Sequence, residues 1–221
     1  NGVILITTKR ASGGEKTTIE FSTYVAMQSV AKKLDVLTAE QFRSVINDYY
    51  PTMKDQYDFG ASTDWFEEVT RKNPISQYYN VAFSGGAKSL GYRASLSYQN
   101  DQGLLDKTSN NKLRAKMSIN QRNFDDRLSI DYNLTYSKGK LADNSILQQV
   151  ARRNPTEPVY DQEGITPISG GYYYNPGPFQ YFNPVAMVNE STREKEMRDV
   201  MGSMKASFEI IEGLKASVMG S

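Results

Sequence analysis

Long runs of strictly alternating polar and apolar residues are the feature that most constrains the fold of this chain. From Leu128 to Ser137, the apolar series Leu, Ile, Tyr, Leu, Tyr alternates with the polar series Ser, Asp, Asn, Thr, Ser. Successive side chains of a β-strand point to opposite faces, so this period of two predicts strands with one apolar and one polar face. About seven segments share the pattern, and they begin near Thr17, Tyr78, Tyr92, Leu113, Leu128, Val200 and Leu214.

The connections between these segments alternate between long and short. The long connections are residues 29–77, 100–111 and 138–198, and the short turns are residues 85–90, 122–127 and 211–213. Up-and-down membrane barrels alternate in this way, with long extracellular loops and short periplasmic turns. Within the first long connection, Thr38–Gln41 fits a capping box, and Asp64 is placed to open a second short helix.

A soluble β-sandwich would also bury one apolar face, so the strand ends and strand lengths decide between the two architectures. Tyr98 and Tyr136 fall on the apolar face near the predicted outer ends, where a membrane barrel carries an aromatic girdle. The strands are also longer than the five or six residues typical of sandwiches. We therefore predict one antiparallel barrel sheet in sequence order. Its convex, lipid-facing side should carry Leu113, Met117, Ile130 and Leu134.

The opening run Val3–Ile6 does not alternate, which indicates a strand buried on both faces and a partner sheet upstream of residue 1. The chain has no initiator Met, and it ends within a strand-like stretch, Val218–Ser221. We therefore expect it to be a fragment of a longer protein.

Composition excludes several classes of protein. Hydrophobic residues make up 38%, the mean hydropathy is −0.58, and no apolar stretch approaches a membrane-spanning helix, whereas a β-barrel remains compatible. The 15 Tyr and 9 Phe suit interface belts and carbohydrate-binding surfaces. Without Cys or His, the chain has no disulfide and lacks the commonest transition-metal ligand. The net charge of +1 gives no bias towards nucleic acid.

Five motifs occur in a characteristic order along the chain. They are NGVILITTKR at 1–10, KKLDVLTAEQF at 32–42 with TDWFEE at 63–68, QYYNVAFSGG at 77–86, YRASLSYQNDQG at 92–103, and RNPTEPVYDQEG at 153–164 followed by NPVA at 183–186. In this order they resemble successive segments of SusC/RagA-type TonB-dependent outer-membrane transporters, from the end of the plug domain to the third extracellular loop.

This resemblance implies an all-β fold, a partial up-and-down barrel belonging to a plugged barrel of about 22 strands. Residues 1–12 would be the last plug strand, and residues 17–221 the first part of the barrel. The implied function is TonB-dependent import of oligosaccharide or peptide nutrients across the cell outer membrane of a Bacteroidetes-type bacterium. The implied partners are a SusD-like lipoprotein, outer-membrane lipid and the TonB complex, which would act through a region outside this chain.

Two sets of residues are candidates for contact with substrate or partner. The first is an aromatic cluster in the third long connection: Tyr172, Tyr173, Tyr174, Phe179, Tyr181 and Phe182. Such rings stack on sugars or anchor protein interfaces, and they also pack loops. The second is a basic set on the polar face, predicted to line the lumen: Arg93, Arg114 and Lys116. These cations could pair with plug carboxylates, remain hydrated or contribute to selectivity.

No motif points to catalysis, a cofactor or a metal. Gly85–Ser89 lacks phosphate-loop spacing and precedes a strand, which makes it a hairpin turn. Asn100–Gly103 lacks the order of a calcium loop. Glu157, Asp161 and Glu163 fall in exposed loop sequence without the cleft that glycoside hydrolysis needs. The alternative to a transporter is a surface β-protein or adhesin that binds glycan without transporting it.

Overall fold

The structure, a computed structural model, describes residue 14 and residues 16–161, 170–175 and 182–221. Seven strands form one antiparallel sheet in sequence order. They are β1 (Thr18–Met27), β2 (Ile75–Ala87), β3 (Leu90–Gln102), β4 (Ser109–Asn123), β5 (Leu128–Ala142), β6 (Glu194–Ile211) and β7 (Leu214–Gly220). The predicted number, order and antiparallel pairing of the strands are confirmed. The predicted plug strand, residues 1–12, lies outside the described residues.

The register of the strands separates the two faces of the sheet. One cross-strand row on the apolar face consists of Phe21, Val81, Leu96, Ala115, Tyr136 and Val200. The adjacent row on the polar face consists of Ser22, Asn80, Ser97, Arg114, Ser137 and Asp199. A slip of one residue would exchange the faces, so the hydrophobic pattern specifies this register strongly.

The apolar face of the sheet has no covering layer within the described ranges. The sheet is the only one there, and the helices pack against one another. Met117 is 45% exposed, Leu134 46% and Val200 70%. Leu113 and Ile130 lie on the same face, so all four residues predicted to face lipid share it. Within the described ranges, no second sheet packs against these residues as one would in a soluble sandwich.

The long connections are shorter than predicted, by up to five residues at an end. They run over residues 28–74, 103–108 and 143–193. The difference arises because β2, β3, β4, β5 and β6 extend beyond the alternating segments. Lys138 and Lys140 of β5 form ion pairs of 3.1 and 2.9 Å with Glu196 and Glu194 of β6. Hydrogen bonding between backbones does not require apolar side chains. The hydropathy pattern therefore does not reveal strand ends that consist of polar residues.

Two of the short turns use left-handed backbone. Phe124, Asp125 and Asp126 have φ of 53, 52 and 69° between β4 and β5. Gly213, between β6 and β7, has φ of 83°, which glycine adopts without steric cost.

Short helices occupy the long connections: α1 (Ala39–Tyr49), α2 (Lys54–Tyr57), α3 (Trp65–Glu68), α4 (Leu147–Arg152) and α5 (Pro184–Glu190). The predicted capping box is confirmed, since the Gln41 amide donates to Thr38 Oγ1 at 3.3 Å and the Thr38 amide donates to Gln41 Oε1 at 2.9 Å. Asp64 caps α3, as predicted. Among the described helices, none has the length and apolarity needed to cross a membrane.

The hydrophobic core lies in these connections and not beneath the sheet. Its buried members are Trp65, Val69, Ile146, Val150, Val185 and Val188. We call residues 28–74, 103–108 and the described part of 143–193 the loop layer. The loop layer is held together by its own core, whereas the sheet is held together by its backbone ladder.

Candidate functional site

The centre of the loop layer is built around Trp65. Its side chain is 3% exposed and packs in a cluster with Val150 of α4 and Val185 of α5. The indole Nε1 donates to the Asn154 carbonyl at 2.9 Å, so the polar edge of the buried ring is satisfied. Three segments that are far apart in the sequence therefore pack around the side chain of Trp65.

Residues 154–157 join the third connection to the first by backbone hydrogen bonds. The Ala61 amide donates to the Thr156 carbonyl and the Thr63 amide to the Pro155 carbonyl, both at 2.9 Å. Thr156 is fully buried, and its hydroxyl donates to the Tyr57 carbonyl at 2.9 Å. This pairing fixes the two long connections against each other.

A buried ion pair lies beside this pairing. Arg153 Nε contacts Glu157 Oε2, and each side chain is 4% exposed. The guanidinium also lies over the Trp65 ring at 5.7 Å, and the Asn175 amide donates to Glu157 Oε1 at 2.8 Å. Burial raises the pKa of Glu157, although the Asn175 hydrogen bond and the charge of Arg153 oppose that effect. Because loss of either partner would leave a buried charge, the pair anchors the loop layer.

Asn183 holds the far end of the third connection. Its side-chain oxygen accepts from the Val185 amide at 3.0 Å and caps α5, while its Nδ2 donates to the Val159 carbonyl at 2.9 Å. Pro184 occupies the first turn of α5, where no amide donor is needed. The RNPTEP and NPVA motifs thus form the internal framework of the loop layer.

The aromatic cluster of the third connection divides into packed and exposed rings. Tyr172 packs against the Trp65 cluster and stacks on Tyr160 with ring centroids 5.5 Å apart. Tyr173 packs against Phe59 at 5.8 Å. Tyr174 is 49% exposed and Phe182 65% exposed. Phe179 and Tyr181 lie outside the described residues.

A cavity of about 1020 Å³ opens beside this framework. Its lining includes residues 33–38 together with Phe59, Trp65 and Asn154. Lys33 and Asp64, which also line the cavity, form an ion pair at 3.1 Å, and this hydrogen-bonded carboxylate raises the pKa of the lysine. The cavity combines aromatic surface with amide and charged groups, as binding pockets for polar organic ligands do.

The three basic residues predicted to line a lumen have different environments. Arg93 Nη2 donates to Glu20 Oε2 at 2.6 Å and Nη1 donates to Ser84 Oγ at 3.3 Å, so Arg93 is part of a paired network. Arg114 and Lys116 lie in line on β4 of the polar face. The structure places Lys112 in the same row of β4. Extending the alternation from Arg114 towards the N-terminus would have predicted this position.

The part of the chain that the structure describes contains no group of three carboxylate, His or Cys side chains able to hold a metal. The prediction that Glu157 lies in exposed loop sequence is wrong: its side chain is 4% exposed, because the loop layer packs around it, and it is engaged by Arg153 and Asn175. Its role in the loop layer is structural.

A sequence-ordered antiparallel meander with an uncovered apolar face and a structured layer of loops is part of an up-and-down β-barrel. The chain is 31% identical over 179 residues to the TonB-dependent receptor SusC of Bacteroides thetaiotaomicron, which covers 79% of this chain and 18% of that protein. It is 27% identical over 229 residues to the TonB-dependent receptor P3 of Formosa agariphila, covering 97% of this chain and 22% of the relative. No family model matches.

Solved structures agree on the fold. The RagAB peptide transporter superimposes with a TM-score of 0.72 at 16% identity, over 96% of this chain and 28% of the transporter chain. The open-open state of the RagAB peptide importer gives a TM-score of 0.69 at 14% identity over the same shares. The chain belongs to the SusC/RagA type of TonB-dependent transporters. It spans about a fifth of the length of the curated relatives it matches, and those relatives are receptors and not enzymes.

Proposed function

We propose that the complete protein imports oligosaccharide or peptide nutrients across the outer membrane, driven through TonB and assisted by a SusD-like surface lipoprotein. The observation that carries this proposal is the match to SusC over 79% of the chain. The peptide class is suggested by the RagAB peptide transporter, and the oligosaccharide class is what the resemblance to SusC/RagA-type transporters implies.

The dimensions of the apolar face support a membrane position. On β5, apolar residues alternate from Leu128 to Tyr136, which is eight inter-residue steps. At about 3.3 Å per residue and a tilt of about 40°, this run rises about 20 Å, close to the apolar band of about 25 Å on outer-membrane barrels. Beyond Tyr136, the same face carries the Lys138–Glu196 and Lys140–Glu194 ion pairs, which suit the polar side of an interface.

We place the Tyr136 end of β5 at the outer interface of the membrane. The loop layer is then extracellular, and the turns at Lys88, Asp125 and Gly213 are periplasmic. Residues 1–12 then close the plug, and residues 17–221 open the barrel. Among the described members of the aromatic cluster, Tyr174 and Phe182 have exposed rings and are the ones assigned here to contact with substrate or lipoprotein. Tyr172 and Tyr173 hold the loop that carries them.

Deletion of the gene in its native bacterium tests the proposal. Uptake of labelled malto-oligosaccharides and of labelled peptides is measured in the parent, in the deletion strain and in a strain lacking TonB. We expect uptake of at least one substrate class to fall to background in both mutants and to return when the complete gene is restored. Surface binding that persists without TonB-dependent uptake in the parent would favour the adhesin alternative.

The proposed contact of Tyr174 and Phe182 with substrate or lipoprotein can be tested separately in the complete protein. Tyr174→Ala combined with Phe182→Ala should lower substrate uptake or recovery of the lipoprotein in pull-downs, without loss of protein from the outer membrane. Tyr49→Ala, which removes another exposed ring, is the matched control because Tyr49 lies on α1 and is 74% exposed. Equal behaviour of the double variant and the control would assign the cluster to loop packing alone.

A further inference from the structure

Two short segments of the third connection pair with each other and carry Tyr174. The Asp161 amide donates to the Gly171 carbonyl at 3.0 Å, and the Tyr173 amide donates to the Val159 carbonyl at 3.1 Å. The two segments are antiparallel, and we call residues 159–161 and 170–175 the arm. Because Tyr174 follows directly after the paired Tyr173, this backbone pairing alone does not determine where its ring lies.

The buried ion pair of Arg153 and Glu157 contacts the arm on both sides of Tyr174. Arg153 Nη2 donates to the Tyr173 carbonyl at 3.3 Å, and Asn175 Nδ2 donates to Glu157 Oε1 at 2.8 Å. Both charged side chains are 4% exposed. The residue before Tyr174 and the residue after it are therefore both held by groups that the loop layer encloses.

The base of the arm has further attachments that are independent of this ion pair. Tyr172 packs against the Trp65 cluster. Asn183 Nδ2 donates to the Val159 carbonyl at 2.9 Å and to the Tyr173 carbonyl at 3.4 Å. Loss of the ion pair should therefore leave the base of the arm attached and loosen only its end.

Stability alone does not explain a charged pair at this position. Desolvation of two charges offsets much of their attraction, and apolar side chains of similar size often replace a buried pair without loss of stability. Apolar side chains cannot, however, accept a hydrogen bond from the Asn175 side chain or donate one to the Tyr173 carbonyl. The ion pair thus supplies directional contacts to the arm that hydrophobic packing cannot supply.

From these contacts we propose that Arg153 and Glu157 are positioning residues for the imported substrate and act through Tyr174. The inference rests on the proposed function, in which the Tyr174 ring contacts substrate. By holding the residues on both sides of Tyr174, the ion pair fixes the direction of the ring in advance, so binding costs less conformational entropy. Asn175 also lines the cavity of about 1020 Å³, a size that suits a small ligand and favours substrate over the lipoprotein.

Hydrogen exchange of the purified complete protein tests whether the ion pair holds the arm. Arg153→Met combined with Glu157→Met, the ion-pair variant, removes both charges together, so that neither is left buried alone. Exchange in residues 170–175 should accelerate several-fold, while residues 54–68 keep their protection.

A second ion pair of the loop layer supplies the matched control. Arg71 pairs with Asp106 at 3.9 Å and donates to the Gly103 carbonyl at 3.0 Å, so it joins the first connection to the second. Arg71→Met combined with Asp106→Met removes the same charges there. Exchange in the arm should be the same in this control as in the parent protein.

Uptake by the complete protein tests whether the ion pair acts through Tyr174. Labelled malto-oligosaccharides and labelled peptides are the probes, and the half-saturation concentration and the maximal rate are measured for the class that the parent imports. The ion-pair variant should raise the half-saturation concentration about three- to tenfold at an unchanged maximal rate, as expected for loss of one aromatic contact. In a Tyr174→Ala background it should have no further effect, because residues that act as a unit are not additive.

An additive effect in the Tyr174→Ala background would overturn the inference and leave the proposed import intact, as would unchanged exchange in the arm. Lower recovery of the lipoprotein at an unchanged half-saturation concentration would also overturn it, since Tyr174 would then contact the lipoprotein. Failure of the parent to import either probe would contradict the proposed function itself, and with it the contact between Tyr174 and substrate.

A third variant decides if the ion-pair variant does not reach the outer membrane or loses protection throughout the loop layer. Asn175→Ala removes the contact from the side of the arm and leaves Arg153 and Glu157 in place. It should raise the half-saturation concentration in the parent background and have no effect in the Tyr174→Ala background. Equal effects in both backgrounds would refute the positioning role.

Discussion

The sheet and the loop layer of this protein are stabilised in different ways. The sheet is regular and extensively hydrogen-bonded, yet its apolar side chains remain open, with Phe21 67% and Leu134 46% exposed. The loop layer is irregular in sequence, yet Trp65, Ile146 and Thr156 are almost or wholly buried. Regular secondary structure and a buried core thus lie in different regions of one chain.

The two regions obtain their hydrophobic stabilisation from different sources. An uncovered apolar face costs roughly 25 cal/mol per Å² in water, so the sheet requires an apolar environment from outside the chain. The loop layer buries its own apolar groups and satisfies its buried polar ones, as a small soluble domain does. Substitutions should therefore act on one region while sparing the other.

Trp65→Ala is expected to have the largest effect. Removal of a buried tryptophan costs about 3–5 kcal/mol, and here it also leaves the Asn154 carbonyl and the Arg153 guanidinium without the indole. Hydrogen exchange measured on the complete protein should show loss of protection in residues 28–74 and 143–193, with little change in β2–β5. Tyr49→Ala, at an exposed ring, should leave protection unchanged. Loss of protection across the whole sheet would show that the two regions are not independent.

Leu134→Arg should have the next largest effect, and it should act on the sheet. Leu134 lies between the middle of the apolar run of β5, at Tyr132, and its end at Tyr136, and an arginine facing lipid costs about 2–4 kcal/mol at the midplane and less towards the interfaces. The matched substitution Asn133→Arg places the same side chain on the polar face one residue away, opposite the uncharged Ser118 and Ser203. Folding into phospholipid vesicles, followed by denaturant titration, should show a destabilised Leu134→Arg and a nearly unchanged Asn133→Arg. A larger loss of stability in the polar-face variant than in Leu134→Arg would show that the two faces of the sheet are assigned incorrectly.

Thr38→Ala should have the smallest effect, confined to the start of α1. It removes the side-chain acceptor of the Gln41 amide, a loss worth about 1 kcal/mol. Exchange of the first-turn amides of α1 should accelerate several-fold, and Thr38→Ser should restore protection. Unaltered exchange in Thr38→Ala would indicate that packing of Ile46, and not the cap, holds the helix.

Local and periodic features were predictable from sequence. The alternation predicted the seven strands and the side of the sheet for each residue, because side-chain direction in a strand depends only on position. The cap at Thr38 and the helix start at Asp64 were predictable because a cap involves residues only three apart. Strand ends were placed less well, since the pairing of Lys138 with Glu196 depends on two strands far apart in the sequence.

The candidate site was predicted only in part. The aromatic cluster was recognised by composition. The division between a packed Tyr172 and an exposed Tyr174 depends on the cluster around Trp65, a residue more than a hundred positions earlier in the chain. Arg93 and Arg114 looked equivalent on the polar face. Only the tertiary structure, which brings Glu20 of β1 within 2.6 Å of Arg93 of β3, shows that Arg93 belongs to an ion pair.

The sequence by itself determined the period of the strands, the two faces of the sheet and the resemblance to SusC/RagA-type transporters, because these properties are carried by residues close together in the chain. The tertiary structure alone decided that RNPTEP and NPVA form the framework of the loop layer and that Arg153 and Glu157 pair in its interior. It also decided that Arg93 pairs with Glu20. Burial and pairing depend on segments separated by tens to a hundred residues, and only folding brings those segments together.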